Sequence, residues 1–433
     1  PRALERSGHG GNGAESVTDA PSPGGKRVVF VNRFAWPDHS ATAQMLTDLA
    51  SGLATRGWAV TVIASRLRYE GGDPLPPREG HAGVAIHRVA TTRFGRGALP
   101  GRAVDYASFY LTASFAAWRL LRRGDILVAK TDPPLLQVPL ALVAWGRGAR
   151  QINWMQDVYP ELAAALGLRL FAQWPGRLLA GLRGRSIRAS AGTVAIGGRM
   201  KERLVAAGAD SATVAEIHNW GDDAVLAAAA GPSPLRAAWG YADERLVVGY
   251  SGNLGRAHEL DTMLDAARLL GAGEAPEVAP VDFLFIGGGA LRERLAAAAL
   301  PNVSVRPYQP REMLPQSMAV ADLHWLSLQP ALEGLIVPSK FYGAAASGRP
   351  VLFVGDPDGE VARLIRHHAC GWTFCPGESA EVAELLRDLA GNRALLREHG
   401  ANARRMVQDH FSRGHGIAAW DELLCAVARR PAA

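Results

Sequence analysis

Near its start the chain runs strand, loop, helix, strand, and that order leaves few folds open. Residues 27–32 are a short β-favouring run, and 33–39 form a loop. Residues 40–56 place Met45, Leu46, Leu49 and Leu53 on one helical face, with Ser40 and Thr42 positioned to cap and Gly57 to stop. Residues 60–64 are the next strand. Such a unit makes a parallel sheet, because neighbouring parallel strands need a crossover between them.

The pattern continues through both halves. Strands are predicted at 125–129, 151–155, 193–196 and 214–217, with a short basic helix at 198–208. A second series begins with a strand at 247–251, a loop at 252–258 and a helix at 260–270. Strands at 283–286, 303–305, 322–328 and 351–354 then alternate with helices at 290–299, 311–318 and 338–347. Helices at 380–392, 394–410 and 416–430 close the chain. The fold class is therefore α/β, with two doubly wound, Rossmann-like domains facing a cleft. We divide it into a disordered Gly/Pro/Ser-rich tail (1–25), an N-terminal domain (26–222) and a linker (223–244). A second domain (245–411) follows, and then a final helix (412–433) that crosses back to the first domain.

Charge separates the halves. The 433 residues carry a net +6, but residues 1–219 alone hold 27 basic and 16 acidic side chains, and the remainder is net negative. A basic half favours an anionic partner. No helix-turn-helix, zinc-finger or RNP-type pattern accompanies it, so nucleic acid is not expected. Between 169 and 203 eight basic residues (Arg169, Arg177, Arg183, Arg185, Arg188, Arg199, Lys201, Arg203) face one acid, Glu202, with Leu170, Phe171, Trp174, Leu178, Leu179 and Leu182 interleaved. That pattern reads either as a stripe resting on an anionic membrane or as a core helix with a solvated basic face. The three cysteines have no metal-ligand spacing and read as reduced thiols. No apolar run is long enough to span a bilayer; the best candidate, 135–145, contains Pro139.

Several chemistries lack their motif. The first strand is not followed by G-x-G-x-x-G, and there is no Walker A, H-E-x-x-H or G-x-S-x-G sequence. What remains sits in loops after strands. Gly252-Asn253-Leu254-Gly255-Arg256-Ala257-His258 places backbone amides and a guanidinium at a helix start, which suits a diphosphate; it reads equally as an ordinary βα loop. Gly287-Gly288-Gly289 permits close approach of a ligand, or is simply a tight turn. Glu333-Gly334-Leu335-Ile336-Val337-Pro338-Ser339-Lys340 is the most informative stretch. Glu333 can accept from sugar hydroxyls, the amides of Gly334 to Ile336 can face the same ligand, and Lys340 opens a helix. A cation there is disfavoured by about 0.3–1 kcal/mol unless an anion joins it. Trp154-Met155-Gln156-Asp157-Val158-Tyr159-Pro160-Glu161 offers Gln156, Asp157 and Glu161 to the cleft, with helix capping as the alternative for Asp157. Asp356-Pro357-Asp358 resembles a metal-binding D-x-D but also suits a turn, and we read it as a turn.

Together these motifs resemble the GT-B glycosyltransferases of family 4, over about residues 27–425. The carrying segments are Trp36–Gln44, Trp154–Pro160, His218-Asn219-Trp220-Gly221-Asp222, Ser251–Arg256, and Glu333 to Lys340 with Ala346–Pro350. The bacterial members that build O-antigen and exopolysaccharide, of the fucosyl or N-acetylfucosaminyl type, look most similar. The resemblance implies a retaining transferase using a nucleotide-diphosphate sugar, with no cofactor and no metal. The second domain would bind the donor. Arg256 and Lys340 match the phosphate-binding positions, and Glu333 matches the first Glu of the family's E-x7-E. Gly252, Asn253, Gly287, Gly288, Gly334, Leu335, Ile336 and Ser339 would line the donor, with 306–310 near the base. Asp157, Gln156, Ser40 and Asn219 would face the acceptor. Two positions depart from the family pattern: Phe341 stands where the second Glu falls, and Gln156 where a His is often found. The implied partners are a nucleotide sugar, a lipid-linked saccharide acceptor and an anionic membrane surface, at the cytoplasmic side of the plasma membrane. A soluble acceptor, or a non-hydrolysing nucleotide-sugar epimerase of similar fold, are the alternatives.

Overall fold

The computed structural model describes residues 26–38, 40–69, 71–95, 99–228, 231, 233–271 and 281–430. The predicted tail at 1–25 lies outside these residues. The N-terminal domain is an eight-stranded sheet: β1 (Arg27–Val31), β2 (Ala59–Ser65), β3 (Arg78–His81), β4 (Val84–Val89), β5 (Ile126–Lys130), β6 (Arg150–Met155), β7 (Gly192–Ala195) and β8 (Val214–Glu216). Their order is β3-β4-β2-β1-β5-β6-β7-β8. Only the β3–β4 pair is antiparallel. The second domain has six parallel strands, β9 (Leu246–Ser251), β10 (Val281–Ile286), β11 (Val303–Arg306), β12 (Leu323–Ser327), β13 (Val351–Val354) and β14 (Gly371–Phe374), in the order β11-β10-β9-β12-β13-β14.

The central strands are buried on both faces, and they read as near-continuous apolar runs for that reason. In each sheet the strand order reverses beside the first strand. One crevice therefore opens between β1 and β5, and another between β9 and β12. The 252–258 loop leaves β9 and the 333–340 loop follows β12, so the second crevice gathers both.

The final helix, Arg413–Arg429, packs on the N-terminal helix Ala41–Thr55. Trp420 is buried against Trp154 and Phe30, and Trp58 donates its indole N–H to Asp421 at 2.8 Å.

The elements with no counterpart in the sequence reading include β3, β4, β14 and the helices Leu99–Leu120, Gln137–Arg147 and Glu360–His368. The 290–299 helix shrinks to Arg292–Ala297, and 311–318 is a 3-10 turn followed by Leu314–Met318. The predicted linker is not loose. Its helix Pro234–Ala238 is fixed to the second sheet by buried Arg236, which donates to the carbonyls of Val320 and Arg245 and pairs with Asp322. The 169–203 segment is likewise not one stripe. It divides into Arg169–Ala172, Trp174–Ala189, β7 and Gly198–Ala206. Arg183 is buried in an ion pair with Glu161, and Arg203 donates to the Glu333 carbonyl of the other domain at 2.9 Å. All three cysteines are free thiols.

Candidate active site

Two glycine loops form the floor of the second-domain crevice. The amide of Gly252 donates to the Ile286 carbonyl at 2.8 Å, and that of Leu254 to the Gly288 carbonyl at 2.7 Å. Gly252, Gly287 and Gly289 all have φ between 125° and 133°, a region that disfavours side chains. The loops touch so closely that a Cβ on Gly287 would strike the Gly252 carbonyl. Asn253 is exposed beside them, and the Tyr308 ring lies over Gly288.

Lys340 crosses this floor. It is the first residue of the helix Lys340–Ala346, after Ser339 at the helix N-cap, and a Cβ on Gly252 would come within 2.5 Å of its Cε. Its Nζ lies 3.4 Å from His258 Nε2 and 5.6 Å from the centre of the Tyr250 ring. His258 Nδ1 donates to the Ser327 carbonyl at 2.7 Å, which leaves Nε2 as an acceptor. Burial, then the Lys340 charge, lowers the His258 pKa to about 4, so the ring is neutral. Burial alone pushes the Lys340 ammonium down to about 8, and no carboxylate pairs with it among the described residues. Arg256 is exposed nearby; its carbonyl accepts from Gln329 and its guanidinium has no ion pair among the described residues.

Glu333 is 5 % exposed, and its carboxylate is turned to the start of the helix Glu360–His368, where one oxygen accepts from the Glu360 amide at 2.9 Å. Burial raises its pKa, opposed by that backbone bond. The loop amides are not all available to a ligand as expected. Those of Leu335 and Ile336 donate to the Leu332 carbonyl at 3.0 and 3.4 Å, because 330–332 is a 3-10 turn. Gly334, at φ +72°, instead packs on the Arg199 carbonyl of the first domain.

The two domains meet here. The Val158 amide donates to the Leu335 carbonyl at 2.9 Å, and Asp157 bridges to Ile336. The Asp157 carboxyl is raised to about 7, by burial first and then by Asp132, against the pull of Lys130. Lys130, at the end of β5, is 1 % exposed. It donates to the Thr42 carbonyl at 2.7 Å and lies 3.7 Å from the centre of the Trp154 ring. Gln156 and Asn219 pair amide to amide at 3.1 and 3.3 Å, buried, so both are used in the structure itself. Ser40 caps the helix Ala41–Thr55 by accepting from the Ala43 amide at 3.4 Å. Asp356 folds into a turn, its carboxylate accepting from the Asp358 amide at 2.9 Å. Arg306, expected near a base, lies instead over the Trp239 ring at 4.5 Å.

The sequence reading passed over His258, Tyr250, Lys130 and Asp132. His258 stood two residues after Arg256 in a motif already noted. Lys130 had a signal too, as a charge ending an apolar strand beside a polar Thr131-Asp132 turn.

These loops at the carboxyl ends of facing sheets, with a half-buried cation and partly exposed glycines, suit an anionic ligand in a protein of two Rossmann-like domains. Residues 40–220 match the family of glycosyl transferase 4-like domains, and residues 245–392 match the glycosyl transferases group 1. The chain is a glycosyltransferase of the GT-B fold. It is 27 % identical to the probable glycosyltransferase WbjE of Pseudomonas aeruginosa, over 67 % of this chain and 72 % of that one. It is 25 % identical to the putative colanic acid biosynthesis glycosyl transferase WcaI of Escherichia coli K12, over 61 % and 65 %. Among solved structures, HepE of Anabaena in complex with UDP and glucose superposes with a TM-score of 0.67 at 17 % identity, over 93 % of this chain and all of that one.

Proposed function

We propose that this enzyme is a retaining transferase that moves a sugar from a nucleotide-diphosphate sugar to a lipid-linked saccharide in cell-surface polysaccharide assembly. The observation that carries the reading is Lys340: a half-buried ammonium with no carboxylate partner among the described residues, set against two glycine loops and a helix start. A partly desolvated cation of this kind gains from an anionic ligand. A diphosphate supplies that anion, with Arg256 meeting it from the exposed side.

In the reaction the bond from the anomeric carbon to the β-phosphate oxygen breaks with oxocarbenium-like charge. The acceptor oxygen bonds to the same face of that carbon, and its proton passes to the departing phosphate. Lys340 and Arg256 stabilise the charge that develops on the leaving group, without a metal. Asp157, on the facing domain, orients the acceptor. The printed name of WcaI, a putative colanic acid biosynthesis glycosyl transferase, supports the pathway class, and the solved neighbour with UDP makes UDP the first diphosphate to test. The fucosyl or N-acetylfucosaminyl type rests on the motif resemblance alone.

Thermal-shift titration with UDP, GDP and dTDP, followed by transfer assays with the matching sugars, tests this. We expect one diphosphate to raise the melting temperature, transfer to persist in EDTA, and the product to keep the donor's anomeric configuration. Inversion would remove the retaining assignment. Donor isomerised without any acceptor would replace transfer by epimerisation, and activity confined to a soluble acceptor would remove the lipid link.

A further inference from the structure

The face of the N-terminal sheet away from the final helix is covered by three helices: Leu99–Leu120, Gln137–Arg147 and Trp174–Ala189. The middle one packs on both others. Their inner sides are ordinary core, with Phe109, Ala113, Leu140 and Ala144 buried. Their outer sides are not ordinary surface. On the first helix Leu111, Phe115 and Trp118 fall at i, i+4 and i+7, so they form one stripe. Leu142 and Trp145 continue it on the second, and Trp174 and Leu178 on the third. Trp145 is 84 % exposed, Leu111 73 %, Trp174 72 % and Leu142 71 %. The stripe is continuous between the first two helices, because the Trp118 ring lies over Gly146, where a Cβ would meet it at 2.6 Å. Apolar groups of this size are rarely grouped in water without a partner.

The charge around them is of one sign. With the adjoining Arg169–Ala172 turn, the three helices carry eight arginines, of which Arg183 is buried in its ion pair with Glu161. Their one acid, Asp105, is buried, accepting from the Phe94 amide and the Thr92 hydroxyl. Arg119 lies 5.7 Å from the centre of the Phe115 ring, so guanidinium and aromatic are presented together. Beside the stripe a groove of about 560 Å³ opens between the first helix and β4. Leu111, Phe115 and Val89 form its apolar wall, and Arg78, His87 and Arg119 its polar one.

We propose that this three-helix face is the surface by which the enzyme rests on an anionic bilayer, and that the groove holds one anionic lipid by its phosphate. The inference rests on the lipid-linked acceptor proposed above and moves the membrane contact from the 169–203 segment to a wider face. Trp145, Trp174 and Phe115 enter the interface, while Arg119 and Arg78 meet lipid phosphate. A second copy of the chain fits this face less well, since a two-fold contact would set arginines against arginines across a low-dielectric seam.

Flotation of the full chain with phosphatidylcholine vesicles, with and without 30 % phosphatidylglycerol, tests it. We expect recovery with the anionic vesicles only, weakened by 0.5 M NaCl. Trp145→Asp with Phe115→Asp should lower the partition coefficient at least tenfold, and Arg119→Gln should lower it less. All three substitutions are at exposed positions, and an unchanged thermal shift with the preferred diphosphate would verify folding. Wild-type binding by the double variant would overturn this face while leaving membrane association itself standing. No binding by the wild type would overturn the surface, and transfer to the lipid-linked acceptor in detergent would then show that the proposed reaction survives. A wild-type dimer that the double variant dissolves, without any vesicle effect, would make the face an interface between copies and likewise overturn the proposal. Equal recovery with dilauroyl phosphatidate and with inorganic phosphate as competitors would remove the lipid from the groove; competition by phosphatidate alone would support it.

Discussion

Two lysines, one in each domain, differ in their surroundings: Lys130 is buried and Lys340 half-buried. Burial pushes the Lys130 pKa well down, opposed by the carboxylates of Asp132, Asp157 and Asp48, and its Nζ donates to the Thr42 carbonyl beside the Trp154 ring. Lys340 has a neutral imidazole, a phenol ring and glycine loops, and no carboxylate partner among the described residues. A buried charge with internal partners serves the fold, whereas one without them is completed by a ligand. The contrast supports the donor site proposed above for the second domain.

The strongest way to break this comparison is to remove each lysine. Lys340→Ala, and Arg256→Ala with it, should cut turnover at least ~100-fold, the scale for losing one group that stabilises developing charge. Lys130→Met should instead lower the unfolding temperature and leave diphosphate affinity near wild type. Near-wild-type turnover in both Lys340 and Arg256 variants would end the phosphate assignment. Next in size, Gly252→Ala combines a strained φ with a Cβ against Lys340 Cε, and should weaken diphosphate binding ~10-fold or more by calorimetry.

The pH dependence separates the sites further. Lys340 titrates near 8, against 10.5 in the unfolded chain. Diphosphate binding should be flat below pH 8 and weaken about tenfold per unit above it, as the ammonium is lost. The stability sign is opposite. Between about 8 and 10.5 the unfolded chain holds the extra proton, so stability of the free enzyme rises with pH by up to about 3 kcal/mol. Lys340→Met should abolish that rise. Asp157 has the smallest expected effect on diphosphate binding and acts on stability in the opposite sense. Its carboxyl, raised to about 7 from 3.8, makes the folded state the better proton binder, so stability falls as pH climbs between those values. Asp157→Asn should flatten that fall while leaving diphosphate affinity unchanged.

Much of the fold was legible because parallel strands are apolar throughout. The runs at β1, β5, β9 and β13 announce themselves without any partner. The edges were not. β3 reads Arg-Glu-Gly-His and alternates between exposed and half-buried, and β14 is half-buried throughout, so neither has an apolar run to detect. The helices Leu99–Leu120 and Gln137–Arg147 escaped for another reason. Apolar residues on their outer sides blur the periodicity that marks a surface helix.

The sequence by itself determined the α/β class, the two-domain division and the loops that hold Arg256, Glu333 and Lys340, because glycines, caps and apolar runs act within a few residues. Only the tertiary structure decided what those side chains do. It brought His258 to Lys340, spent the Leu335 and Ile336 amides on a turn, closed Gln156 on Asn219 and left Lys340 without a carboxylate partner among the described residues. The physical reason is that burial and pairing depend on residues far apart in the chain, and a lysine's meaning changes with whether its counter-ion is supplied by the protein or left to the substrate.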